Sequence, residues 1–152
     1  MAKMGLSVRD DPRKVVDVAG RSWGEPVRGL ALSVIIKPKE DDDELPSVCV
    51  AILNRSTEVR LLKTRGWLYF FQVSVVNADG AGVAMTPYGH ELFKRERMPP
   101  LSDIALDPAE AIEADIPIGA VYVMPNGRYR VQASCELPED TRIVSNEIEI
   151  NV

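Results

Sequence analysis

The chain has 152 residues, 45% of them hydrophobic and 27% charged, with a net charge of −5. That length suits one domain, able to bury about 70% of its unfolded surface without disulfide or metal support. The acidic balance gives no polyanion-binding signature, since nucleic acid requires a concentrated basic face and the densest basic run, Phe93–Pro100, reads as a solvated loop, and no apolar run approaches the ~20 residues of a membrane span.

Residues 1–27 read as a polar arm, interrupted by Pro12, Gly20, Gly24 and Pro26. It is expected to be partly mobile, with Lys14–Gly20 as a short edge strand. The first residues lack the apolar core of roughly 7–15 residues that a secretion signal carries. The chain as it stands therefore reads as cytoplasmic, and a secreted or periplasmic protein is the alternative if a signal was removed. Regular alternation begins with Leu30-Ala31-Leu32-Ser33-Val34-Ile35-Ile36, which puts Leu30, Leu32, Val34 and Ile36 on one face of a strand. After the acidic loop Glu40–Glu44, Val48, Val50 and Ile52 share a face of the next strand, and Cys49, Ala51 and Leu53 lie opposite. Glu58–Lys63 reads as a short strand ended by Gly66.

Trp67–Val76 reads as the longest apolar strand, with Tyr69, Phe71, Val73 and Val75 on one face and Gln72 and Ser74 on the other. Asn77–Gly82 carries a strong turn signal, because Asn, Asp and Gly tolerate positive φ. Val83–Gly89 is expected as a short strand, His90–Ser102 as a long loop, and Val121–Cys135 as a hairpin around Pro125-Asn126-Gly127. At the C-terminus Ile148, Ile150 and Val152 alternate with Glu147, Glu149 and Asn151. Residues 107–115 fit two structures. Asp107, Pro108 and Glu110 have the spacing of a helix N-cap, N1 and N3, whereas Pro117 leaves room for only one or two turns, so an extended strand fits as well. Seven to nine short strands separated by turns, with no sustained helical period, indicate an all-β fold, an antiparallel β-sandwich over residues 28–152.

The order of these signals carries a resemblance. An alternating strand ends in Asn54-Arg55-Ser56, and Phe71-Gln72-Val73 leads to Asp79-Gly80. Then come Leu106-Asp107-Pro108-Ala109-Glu110, Gly127-Arg128-Tyr129-Arg130-Val131 and a strand starting through Ser145-Asn146. Over residues 29–152 this succession resembles bacterial immunoglobulin-like domains of the intracellular proteinase inhibitor (BsuPI-like) type. The resemblance implies an Ig-like sandwich and, through loops that cannot be matched residue by residue, protease inhibition. Fold alone carries no function. Where the family has a Pro-Gly-Glu turn, this chain has Pro108-Ala109-Glu110, and an alanine adopts positive φ only at a cost.

No cofactor, metal site or catalytic set is expected from the residue pattern. His90 is the sole histidine, and the cysteines Cys49 and Cys135 lie in neither a CxxC nor a His-containing motif. In Ig domains the tyrosine precedes the second cysteine by two residues. Here Cys135 is six beyond Tyr129, and Cys49 faces away from the core, so two free thiols are expected. Glu40–Glu44 lacks the spaced ligands and turn glycine of a calcium loop. Asn54-Arg55-Ser56 matches a glycosylation sequon and equally a turn asparagine. The feature of most interest is Met85–Leu101, a long connection carrying Tyr88, His90, Phe93, Arg95, Arg97 and Met98. Aromatic residues beside arginine are the composition of protein-contact surfaces, and folding back over the core is the structural alternative. Trp67 is a further contact candidate, with core-capping as its commoner use. The expectation is a non-enzymatic interaction module with a protein partner, in its narrowest form a proteinase inhibitor. The alternative is a structural subunit that pairs through sheet edges such as the terminal strand.

Overall fold

The computed structural model of the protein describes residues 13–15, 17–94, 99–138 and 140–152. Period-two patterning resolves into nine strands among these residues: β1 (Arg13–Lys14), β2 (Leu30–Ile36), β3 (Val48–Asn54), β4 (Arg60–Thr64), β5 (Gln72–Asn77), β6 (Ser102–Leu106), β7 (Ala111–Ile116), β8 (Arg128–Leu137) and β9 (Thr141–Asn151). Three short helices interrupt them, α1 (Trp67–Phe70), α2 (Pro87–Leu92) and α3 (Ile118–Val121). All pairings are antiparallel, in sheets of order β1-β7-β3-β2, β4-β6 and β5-β8-β9. The fold is all-β and sandwich-like.

The core forms where the alternation predicts it. Leu32, Val34, Val50, Ile52, Ala114 and Ile116 of the first sheet are buried together with Val73, Val75, Val131, Ala133, Cys135 and Ile150 of the third. Tyr129, Val131, Ala133 and Cys135 share the buried face of β8. Ile36, expected inward, is 49% exposed at the end of its strand.

The outer face of the first sheet is buried as well: Ala31, Ser33, Cys49, Ala51, Leu53 and Ala111. The arm covers it. Its edge strand is shorter and earlier than expected, with Arg13 opposite Glu113, Lys14 opposite Ile112, and Val15 donating to the Ala111 carbonyl at 3.0 Å. Arg21 pairs with Glu113, and the Trp23 indole donates to the Val18 carbonyl at 2.9 Å. The described part of the arm is thus tied to the sheet.

A bulge in β9 joins the first and third sheets. Gln132 pairs with Glu147 and Ser134 with Val144, so Ser145 and Asn146 together face Ala133. The Ser145 hydroxyl accepts the Ala133 amide at 2.8 Å, which frees Asn146 to reach β2. Gly24 fills the same seam. Its amide donates to the Leu32 carbonyl at 2.8 Å, and a Cβ on it would overlap the Val144 carbonyl oxygen.

Four expectations are corrected. Trp67–Phe70 is a helical turn, and the strand begins only at Gln72. Gly66, at φ 124°, redirects the chain so that Trp67 sinks to 2% exposure. There it stacks on Phe71 at 5.4 Å and meets Phe70 edge-on at 5.3 Å, a clustering that strand alternation would prevent. The strand expected at Val83–Gly89 reduces to isolated bridges at Gly82 and Met85, because Thr86 caps α2 by accepting the Gly89 amide at 3.0 Å and Pro87 opens the helix. The expected loop His90–Ser102 accordingly loses its first residues to α2, and β6 follows it. No hairpin forms at Pro125–Gly127. The Tyr129 hydroxyl bonds the Pro125 carbonyl, and Gly127 and Val152 exchange bonds at 2.9 and 2.8 Å, so the segment turns onto the end of β9. Residues 107–115 resolve into a tight turn followed by β7.

Candidate functional site

The long connection assembles from its cap upward. The Thr86 amide donates to the Val121 carbonyl at 2.8 Å and its hydroxyl to the Ala120 carbonyl at 2.6 Å, which holds α2 against α3. Gly89 is buried there, and any side chain on it would strike the Val121 carbonyl. This seating presents Tyr88 half-buried, His90 exposed and Phe93 half-buried. Phe93 packs edge-on against Tyr69 at 5.7 Å, and the Tyr69 hydroxyl donates to the Leu92 carbonyl at 2.9 Å. Burial, with Tyr69 nearby, pushes the Tyr88 hydroxyl pKa upward. Arg95, Arg97 and Met98 lie outside the described residues.

Phe93 borders a cleft of about 270 Å³ also lined by Tyr69, Gln72, Val73, Met85 and Tyr122. The cleft exists because two strand-like segments splay. Residues 81–83 run beside β5, with the Asn77 amide donating to Ala81 at 2.9 Å and the Val83 amide to Val75 at 3.3 Å. By Met85 the segment has left β5 to bridge Tyr122. Tyr122 spans the opening, its hydroxyl donating to the Val73 carbonyl at 2.9 Å, and burial raises its pKa. Of the expected contact residues that are described, only Phe93 lines this cleft. Met85 opens the singled-out connection, whereas Tyr69, Gln72 and Tyr122 were missed, and no local pattern marks them, since 53 positions separate the first from the last.

The other candidates resolve into structural roles. Cys49 and Cys135 are both free and buried. Burial pushes the Cys135 thiol up to about 12. Burial and a hydrogen bond to Asp115 at 3.0 Å push Cys49 up to about 12 as well. Neither is poised as a thiolate nucleophile. Asp115 also receives Arg13 at 2.7 Å and Lys37 at 3.0 Å. Although its burial opposes ionisation, these bonds hold its carboxyl well below the usual range. Asn54 of the sequon is fully buried, its amide donating to the Glu58 and Leu106 carbonyls at 2.8 and 2.9 Å. It is a turn asparagine, closed to glycosylation in the folded chain. Glu40–Glu44 is an exposed loop, and among the described residues no three His, Cys, Asp or Glu side chains gather as metal ligands. Trp67 is a core residue. No helix among the described residues is long and apolar enough to cross a membrane.

In comparisons with known proteins, no family model matches the chain and no curated protein matches it.

Proposed function

We propose that the protein is a non-enzymatic interaction module of Ig-like architecture whose partner is a protein and whose contact surface centres on the cleft beside Phe93. The observation that carries this reading is the cleft itself, an aromatic hollow bordered by a helix that projects the exposed His90 and the half-buried Tyr88. Protein partners anchor through aromatic side chains set in such hollows. The Ig-like assignment draws support from Tyr129, whose hydroxyl returns to the backbone four residues upstream at Pro125, the geometry of a tyrosine corner.

Affinity capture from an extract of the native host tests the reading, with wild-type protein and a Phe93→Asp variant as baits. A protein retained by the first and lost from the second supports it, and equal retention contradicts it. Proteinase inhibition is its narrowest form. Assays across serine and cysteine proteases at micromolar protein decide that form, and inhibition of none removes it.

A second reading, a structural subunit of a larger assembly, draws on the two-stranded sheet. Leu61 on β4 is 71% exposed and Val59 before it is 52% exposed. The terminal strand β9 is a poorer edge, because Asn146 and Gly24 occupy its flank at the seam. Light scattering at high concentration tests self-assembly, and a monomer there contradicts it.

A further inference from the structure

Residues along an antiparallel strand alternate in the side to which their backbone groups point. Val73 of β5 lies opposite Ala133 of β8. The Ala133 amide points to the far side of β8, where the Ser145 hydroxyl accepts it. Val73 and Ala133 therefore form a pair whose backbone groups point away from each other. The Val73 carbonyl agrees, since it points out of the sheet to the Tyr122 hydroxyl.

The Val73 N–H consequently also leaves the sheet, on the side of the cleft that Val73 lines. Farther along, the same edge is used. The Val75 carbonyl and the Asn77 amide bond residues 83 and 81. Before Val75 the covering segment has already veered away to Tyr122. The Val73 N–H thus has no partner among the described residues, in a residue only 9% exposed. A buried N–H left unpaired is costly.

Resting on the module reading above, we infer that the cleft takes one residue of an extended peptide segment: a carbonyl of the segment accepts the Val73 N–H, and an apolar side chain lodges between Tyr69, Met85 and Tyr122. This is strand addition at a sheet edge, in which the main chain supplies the hydrogen bond and the side-chain hollow supplies selectivity. Because residues 81–83 cover the edge beyond Val75, the docked segment is short and runs alongside Phe71–Val73.

Amide NMR on the full chain tests this with three probes: N-acetyl-phenylalanine methylamide, N-acetyl-glycine methylamide and propylbenzene. Saturable displacement of the Val73 amide by the phenylalanine probe, and not by the other two, is the expected result. A silent Val73 amide overturns the inference. Equal displacement by propylbenzene also overturns it, since an apolar occupant then suffices without a carbonyl. A Val73→Pro variant removes the outward N–H and no ladder bond, and it is expected to weaken the phenylalanine probe about fivefold to tenfold. Unchanged affinity in a folded variant contradicts the hydrogen bond, and the wild-type titration decides if the variant does not fold. Capture that depends on Phe93 alongside a silent Val73 amide sinks this inference and leaves the module reading standing. A responsive Val73 amide with capture independent of Phe93 sinks the module reading instead.

Discussion

Asn146 grips Val34 across the seam between the sheets: its Oδ1 accepts the Val34 amide at 2.8 Å and its Nδ2 donates to the Val34 carbonyl at 3.0 Å. A side chain thereby takes the place of a neighbouring strand at a residue that is fully buried. Asn146→Ala orphans both groups and is expected to cost about 2–4 kcal/mol in urea unfolding. Asn146→Asp keeps the acceptor but sets a charge against the carbonyl. It is expected to destabilise at least as much at pH 7 and to recover below about pH 4, where a protonated carboxyl donates.

Gly24 lies in the same seam for a different reason, because no side chain fits against the Val144 carbonyl. Gly24→Ala is expected to lower stability by about 3 kcal/mol or more, whereas Gly82→Ala, whose Cβ would meet nothing within 4 Å, stays within about 0.5 kcal/mol of wild type. Thermal unfolding of the two variants checks this contrast.

Ala109 holds φ 65° at the third position of the turn Asp107-Pro108-Ala109-Glu110, closed by a Glu110-to-Asp107 backbone bond of 3.0 Å. Proline second and positive φ third is the type II arrangement, which favours glycine. Ala109 thus holds this turn at an energetic cost. Ala109→Gly is expected to raise stability by about 0.5–1 kcal/mol, read as a higher denaturant midpoint at unchanged slope.

The buried thiols set an alkaline limit. Their folded pKa values lie near 12, against an ordinary value of 9.0. The fold therefore holds these protons more tightly than the unfolded chain does. That stabilisation is complete below about pH 9 and drains away toward pH 12, at about 1.4 kcal/mol per pH unit for a fully buried group such as Cys135. Equilibrium unfolding from pH 8 to 11 is expected to show the decline, reduced in Cys135→Ala. A thiol titration of denatured, unreduced protein is expected to find two free thiols, and finding none contradicts the assignment.

Much of the sandwich was legible because strands that face one core alternate at period two. β2, β3, the buried face of β8 and the Ile148/Ile150 alternation of β9 follow directly from that. The covered outer face was half legible. Val48–Leu53 is an unbroken apolar run, the mark of a strand buried on both sides, but the arm that covers it is polar and irregular. Trp67–Phe71 misled because aromatic residues suit strands and core caps equally, and only contacts with distant residues choose between them. Thr86-Pro87 was a readable helix start. The cleft was not readable, since it depends on where one segment parts from β5 and on a tyrosine that arrives from beyond β7.

Site-specific photo-crosslinking tests the proposal that a protein partner docks at the Phe93 cleft. A benzophenone side chain is placed at position 93 in one sample and at the remote, exposed position 61 in another, and both are irradiated in native-host extract. A discrete protein adduct is expected from position 93 and none from position 61. An adduct from position 61 alone would contradict it.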